Sequence, residues 1–336
     1  MNLYNKFLID GSQKVNLKKY SPDSSDYGWD DEKKMLKIIQ ENGKKLFDLQ
    51  YRLYAENKQS LLIVLQALDA AGKDGTINHV ISVMNPQGCR SQSFKIPTPI
   101  ENSHDFLWRE HMVAPHCGEV VIFNRSHYED VLVRRVHQMI SKNDLKKHLD
   151  YINYFEEILN NNNTKIVKFF LHISKEEQLM RFGERLANPS KQWKISEGDY
   201  KERAYWDDYI KAFEAAINHC STKDAPWFVI PSNNKTFRDL VVSEILLQTL
   251  EKMSPKLPAV SVDINYIKEK YHQDAKAEES QDEKMKKGSL DKVDKKALQK
   301  TEKIDEKIEG ASDNDSDNAD SEAGKKAKKK KKKHSK

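Results

Sequence analysis

Apolar positions along the first 260 residues follow two different spacings. From about Lys33 to Lys58 they recur every three or four residues, at Met35, Leu36, Ile38, Ile39, Leu46, Leu49, Leu53 and Tyr54. That spacing predicts a long amphipathic helix, bent at Gly43. The period then changes. Leu61-Leu62-Ile63-Val64-Leu65 is a continuous apolar run, the pattern of a parallel strand buried on both faces. Similar runs lie at 120–123, 166–171 and 227–230, with a weaker one at Ser93-Phe94-Lys95-Ile96. Helical spacing falls between them, around 76–84, 103–112, 128–140, 144–160, 175–187, 199–219 and 235–252. Strands alternating with helices predict an α/β fold whose central parallel sheet is covered on both faces. Residues 1–32, with turn formers at 21–25 and Gly28, read as an irregular arm.

After about Pro258 the pattern fades. Residues 265–310 are rich in Lys, Glu and Asp, 311–322 are Ser, Asp and Asn, and 325–336 hold nine lysines. This composition predicts a disordered charged tail over 259–336, with a transient helix near 265–308. Residues 1–260 carry 36 Lys and Arg against 34 Asp and Glu, and residues 261–336 carry 21 against 18. All ten arginines lie at or before Arg238, so the tail is basic through lysine alone.

Several functional classes drop out. No stretch reaches the ~20 apolar residues of a membrane-spanning helix, and the first residues lack the apolar core of a signal peptide. Cys89, Cys117 and Cys220 have no metal-site spacing and point to reduced thiols in a cytoplasmic protein. A net charge of +5 over 336 residues is too small to argue specific nucleic-acid binding.

The most informative stretch is Ala67-Leu68-Asp69-Ala70-Ala71-Gly72-Lys73-Asp74-Gly75-Thr76. It follows the first buried strand and opens a helix. There, backbone N–H groups and a helix N-terminus can face an anion while a lysine reaches around to it. Gly72 and Gly75 allow close backbone approach, and Lys73 supplies charge. The usual G-x-x-x-x-G-K-[S/T] pattern is altered twice: Ala67 replaces its first glycine and Asp74 its hydroxyl residue. Asp69 adds a carboxylate that would repel phosphates unless a cation intervenes. It therefore points to Mg²⁺, with Mn²⁺ as the alternative, shared between carboxylate and phosphate oxygens. Asp69 also fits a plain helix cap or turn former.

Two further clusters carry cations. The strand at 120–123 runs into Asn124-Arg125-Ser126-His127-Tyr128-Glu129-Asp130, followed by Arg134-Arg135. Strand C-terminal ends line the ligand crevice of open parallel sheets, which puts Lys73 and Arg125 on one rim. Arg134 is assigned to phosphate, while one of Arg134 and Arg135 also fits a solvated helix face. Farther on, Arg181 and Arg185 stand at i and i+4, Pro189 ends that helix, and Lys191, Trp193 and Lys194 follow. Clustered cations on a helix–loop–helix match a lid closing over polyanions, and also match a basic surface helix.

Together, Asp-x-x-Gly-Lys-Asp-Gly (69–75), Phe-Asn-Arg-Ser-His-Tyr-Glu-Asp (123–130) and Arg-x-x-x-Arg…Lys-x-Trp-Lys (181–194) resemble the second polyphosphate kinase family. The resemblance runs from about Val15 to Lys252 and leaves the tail outside. It implies a P-loop kinase-like three-layer domain over 33–258, with a helical lid at about 181–199. It implies a polyphosphate-dependent kinase that phosphorylates nucleoside mono- and diphosphates with Mg²⁺, serves ATP regeneration and forms a homo-oligomer. By resemblance, Asp69, Lys73 and Arg125 are catalytic and Asp69 holds the metal. Gly72, Lys73, Asp74, Gly75, Arg134, Arg181, Arg185 and Lys194 take the polyphosphate or phosphate groups, and Glu129 and Arg109 the nucleotide. Glu129 marks the class III branch that accepts both AMP and ADP; the diphosphate-limited branch tends to carry Asn there. Asn85-Pro86-Gln87-Gly88 and Ser103-His104-Asp105-Phe106-Leu107-Trp108-Arg109 match that branch too. Ala67 departs from the family's usual glycine and puts loop strain, hence turnover, in question.

Two rivals stand beside this reading: an ATP-dependent P-loop kinase of a nucleotide or small metabolite, and a non-catalytic polyphosphate-binding protein. For the tail, a tether for polyphosphate stands beside a simply solvated segment.

Overall fold

The computed structural model describes residues 2–309. The chain divides after Pro258 into two units. The first holds, in order, α1 (Leu3–Phe7), β1 (Leu8–Ile9), α2 (Glu32–Glu56), β2 (Ser60–Ala67), α3 (Lys73–Thr76), β3 (Cys89–Ser93), α4 (Pro99–Asn102), α5 (Trp108–His111) and β4 (Val120–Asn124). It continues with α6 (Tyr128–Val136), α7 (Lys142–Asn161), β5 (Thr164–His172), α8 (Lys175–Ala187), α9 (Glu197–Arg203), α10 (Trp206–Cys220), β6 (Trp227–Pro231) and α11 (Lys235–Met253).

The six strands make one sheet in the order β1-β6-β5-β2-β4-β3. All neighbours are parallel except β1, which runs antiparallel along β6 with Leu8 opposite Phe228. Alternate side chains of β2 face opposite layers. Leu61, Ile63 and Leu65 pack with α2 and α11 residues such as Leu46, Leu53, Val241 and Leu246. Leu62 and Val64 pack with Val131, Ile152, Phe155 and Phe213 of α6, α7 and α10. Both faces are thus sealed, which is why β2 reads as unbroken hydrophobe. Helix α2 buries Met35, Leu46 and Leu53 along one stripe, capped at its start by Asp31, whose carboxylate accepts from Lys34 N.

Three expectations change. The third strand of the chain is Cys89–Ser93, not 93–96. It is an edge strand paired only with β4, so its half-exposed residues need no apolar run, and the apolar Phe94 belongs to the layer beyond its end. The amino-terminal arm is not wholly irregular: Leu3, Tyr4, Phe7 and Ile9 are buried, and β1 covers the β6 edge. Of the 103–112 helix only α5 (Trp108–His111) forms, with α4 lying before it, and the 199–219 helix divides into α9 and α10.

In the second unit, Ile264–Glu309 forms one helix, α12, over the stretch where a transient helix was expected near 265–308. Its many Lys, Glu, Gln and Ala residues favour helix locally, and its described side chains are exposed apart from half-buried Ala275. The Ser/Asp-rich run and the lysine run lie outside the described residues. Among the described residues, no helix is long and apolar enough to cross a membrane.

Candidate active site

Strands β2 and β4 are adjacent and in register, with Leu65 opposite Asn124, so the segments leaving their C-terminal ends meet. The loop after β2 carries two residues at positive φ, Ala70 (62°) and Gly72 (111°). Ala67, the departure from the usual loop glycine, ends the strand and has no such angle; the conformational demand falls on Ala70 and Gly72. The Lys73 Nζ curls back and donates to the Ala67 carbonyl at 3.1 Å. Burial and the neighbouring Arg125 lower the Lys73 ammonium from its ordinary value, against the pull of Asp69, Glu129 and Asp74.

Arg125 joins the first two clusters. Its backbone is held at φ 63° by the hydrogen bond from its N–H to the Leu65 carbonyl. Its Nη2 donates to Asp69 Oδ1 at 2.9 Å and its Nη1 to Glu129 Oε2 at 3.2 Å. Glu129 above all, and then Asp69, raise its guanidinium pKa, so Arg125 is a fixed cation between two carboxylates. Helix α6, which carries Glu129, is anchored below. His127 Nε2 and Tyr128 Oη both meet Glu156 Oε1, and the buried Lys168 ammonium donates to Glu156, Tyr128 and the Cys220 carbonyl.

Asp74 has a different place from that expected. A carboxylate is a poor direct partner for phosphate, and here it accepts from Asn124 Nδ2 at 3.0 Å while its other oxygen stands 3.7 Å from Lys194 Nζ. It ties β4 and the lid to the phosphate loop. The lid cations also separate. Arg185 and Lys194 are partly exposed, and Arg185 donates to the Lys194 carbonyl at 3.0 Å. Arg181 is buried, and its guanidinium is spent on Glu177 and on the carbonyls of Ala70, Ala71, Ser232 and Asn233. It braces the loop from within and is not a lid cation facing phosphate. Arg181 and Arg185 stand one turn apart on α8, but its inner edge turns Arg181 toward the loop.

Arg134, expected at phosphate, has its place in a cavity wall. It lines a cavity of about 710 Å³ next to the loop, together with Arg125, Glu129, Asp130 and Arg109, and pairs with Asp130 at 3.3 Å. It therefore stands on the side of Glu129 and Arg109, which the structure brings together in that wall. Phe106, stacked on His148 with ring centroids 4.4 Å apart, supplies a flat apolar surface in the same cavity.

Sequence reading missed Arg238. It lies buried on α11, Nε and Nη2 both donating to Asp239 Oδ1, with its guanidinium packed directly behind Gly72 and Gly75. The signal was present: an Arg-Asp pair interrupts the apolar helix Phe237-Arg238-Asp239-Leu240-Val241-Val242. Gln178, which donates to the Asp69 carbonyl at 2.9 Å, is a second missed brace.

As for metal, no cluster of three or more candidate ligand side chains exists among the described residues. Asp69 is partly exposed, and its Oδ2 makes no hydrogen bond to another described residue. One carboxylate beside a phosphate loop fits a Mg²⁺ that arrives with its phosphates, which needs no protein cage.

Comparisons with known proteins agree with this geometry. A family model described as polyphosphate kinase 2 matches residues 29–258. An AMP/ADP-polyphosphate phosphotransferase of Meiothermus ruber is 45% identical over 253 residues, 75% of this chain and 95% of that protein. An ADP-polyphosphate phosphotransferase of Rhodopseudomonas palustris is 40% identical over 265 residues, 75% of this chain and 91% of that protein. The crystal structure of polyphosphate kinase 2 from Arthrobacter aurescens superimposes with a TM-score of 0.75 at 38% identity, covering 80% of this chain and 98% of that one.

Proposed function

The chain belongs to the polyphosphate kinase 2 family, and from that premise we propose that it transfers the terminal phosphoryl group of inorganic polyphosphate to AMP and to ADP. The observation that carries this reading is the position of Arg125, fixed between the Asp69 of the phosphate loop and the Glu129 of the cavity wall. It stands where two anionic substrates, one on the loop and one in the cavity, would bring their phosphates together.

In this reading the nucleotide enters the 710 Å³ cavity, its base against Phe106 and its phosphate toward Arg125, Arg109 and Arg134. Polyphosphate lies on Lys73 and the loop N–H groups, under Arg185 and Lys194. An oxygen of the acceptor phosphate forms a bond to the terminal phosphorus of the chain, and the bond from that phosphorus to its bridging oxygen breaks. The acceptor oxygen is already anionic near neutral pH, so no general base is needed. What the protein supplies is alignment and fixed positive charge against a loose transition state. Mg²⁺, held by Asp69 together with phosphate oxygens, supplies further charge neutralisation when bound.

The donor is tested by giving purified protein, Mg²⁺, long-chain polyphosphate and ADP, with no other phosphoryl donor. ATP formation that is lost in a Lys73→Ala variant supports the proposal. No ATP from polyphosphate, with ADP phosphorylated only when another triphosphate is supplied, contradicts it.

A further inference from the structure

Glu110 is a carboxylate in an apolar place. Its side chain is 1% exposed, and its one ion-pair partner among the described residues is the neighbouring Arg109, whose Nε stands 3.2 Å from Oε1. Its Oε2 is buried with no hydrogen-bond partner. A buried, half-satisfied carboxylate is costly to the fold, so what it holds is informative. It holds Arg109. That guanidinium is fixed at three points: Nε by Glu110, Nη1 by the Lys95 carbonyl at 2.9 Å, and its face by the Phe94 ring, 5.1 Å from the ring centroid. Nη2 makes no hydrogen bond to another described residue, and Arg109 lines the cavity.

We propose that Glu110 is a positioning residue for the acceptor nucleotide: it orients the Arg109 guanidinium so that Nη2 is presented to the acceptor's phosphate. Glu110 touches no substrate and acts only through Arg109. The inference rests on the reading of the cavity as the nucleotide site and deepens it. It assigns acceptor affinity, and not the transfer step, to a residue outside the three sequence motifs.

The carboxyl is pushed up to about 7, first by burial and also by Glu101 of α4, while Arg109 pulls it down. Its protonation near neutral pH gives the test a readout that mere support of the fold would not move. Glu110→Gln removes a buried charge and should fold. The experiment measures KM for AMP and ADP, and kcat, from pH 6 to 8 in wild type, E110Q, Arg109→Met and the double variant. At pH 8, E110Q should raise acceptor KM about tenfold, the loss of one charge-assisted contact, with kcat nearly unchanged. The gap should close below about pH 7, where wild-type Glu110 is itself neutral. Titration of the acceptor phosphate is common to both enzymes and cancels in the ratio. In the R109M background, E110Q should add nothing.

Parallel pH profiles, or effects of the two substitutions that add in full, overturn the inference. If R109M raises KM while E110Q does not, the inference fails and the cavity reading survives. If R109M leaves acceptor KM at the wild-type value, both fall.

Discussion

Arg238 occupies the space that a side chain at Gly72 would need: a Cβ built there runs into the Arg238 guanidinium. Gly72 also holds φ at 111°, a conformation that L side chains rarely adopt. Two independent demands thus meet at one glycine. Gly72→Ala should cost about 3 kcal/mol or more of stability and abolish transfer. Shortening Arg238 to Ala in the same chain should restore little, because the backbone angle persists. Denaturant unfolding of the single and double variants checks this.

Glu129 pairs with Arg125, which in turn pairs with Asp69 of the loop. Glu129→Asn keeps a polar side chain but loses the charge that fixes the guanidinium. It should lower kcat/KM for AMP relative to ADP by about tenfold, roughly 1.4 kcal/mol of transition-state stabilisation. An unchanged AMP-to-ADP ratio in steady-state kinetics would remove Glu129 from acceptor selection.

The separation of Arg181 from Arg185 and Lys194 predicts two kinds of defect. Arg185→Ala and Lys194→Ala should raise the KM for long polyphosphate several-fold, about 1 kcal/mol each, with the melting temperature nearly unmoved and a weaker dependence on salt. Arg181→Ala strands four loop and turn carbonyls and should cost about 3 kcal/mol or more of stability. It should lower kcat with it, because the loop loses its brace. Thermal melts beside kinetics distinguish the two.

His172 predicts an acid limit. It is buried at the end of β5, and burial lowers its imidazole from 6.5 to about 4. Between those values the unfolded chain binds a proton that the folded chain does not, so stability rises with pH there. On acidification, about 3 kcal/mol is lost as pH falls from 6.5 toward 4. Urea unfolding of His172→Gln beside wild type at pH 7 and pH 4.5 should show the variant losing less on acidification.

Much of the fold was legible because buried parallel strands such as Leu61–Leu65 carry their environment in their composition. The loop was legible because Gly72, Lys73 and Asp69 follow such a strand directly. The edge strand Cys89–Ser93 was not, since half-exposed polar residues leave no run to read. Nor was the fate of the arginines. Spacing puts Arg181 and Arg185 on one helix face but does not say that its inner edge is walled by loop carbonyls. Arg238 and Glu110 escaped because only packing reveals their roles: Arg238 lies behind glycines far from it in sequence, and nothing in the sequence says that Glu110 is buried against the neighbouring Arg109.

The most direct measurement supplies purified protein with Mg²⁺, long-chain polyphosphate and AMP as the sole nucleotide, and follows products over time. The account predicts ADP first and ATP after it, with both lost in Lys73→Ala. Absence of any ADP from AMP, while ADP itself is converted, would contradict the acceptor assignment drawn from Glu129; absence of product from either nucleotide would contradict the function itself.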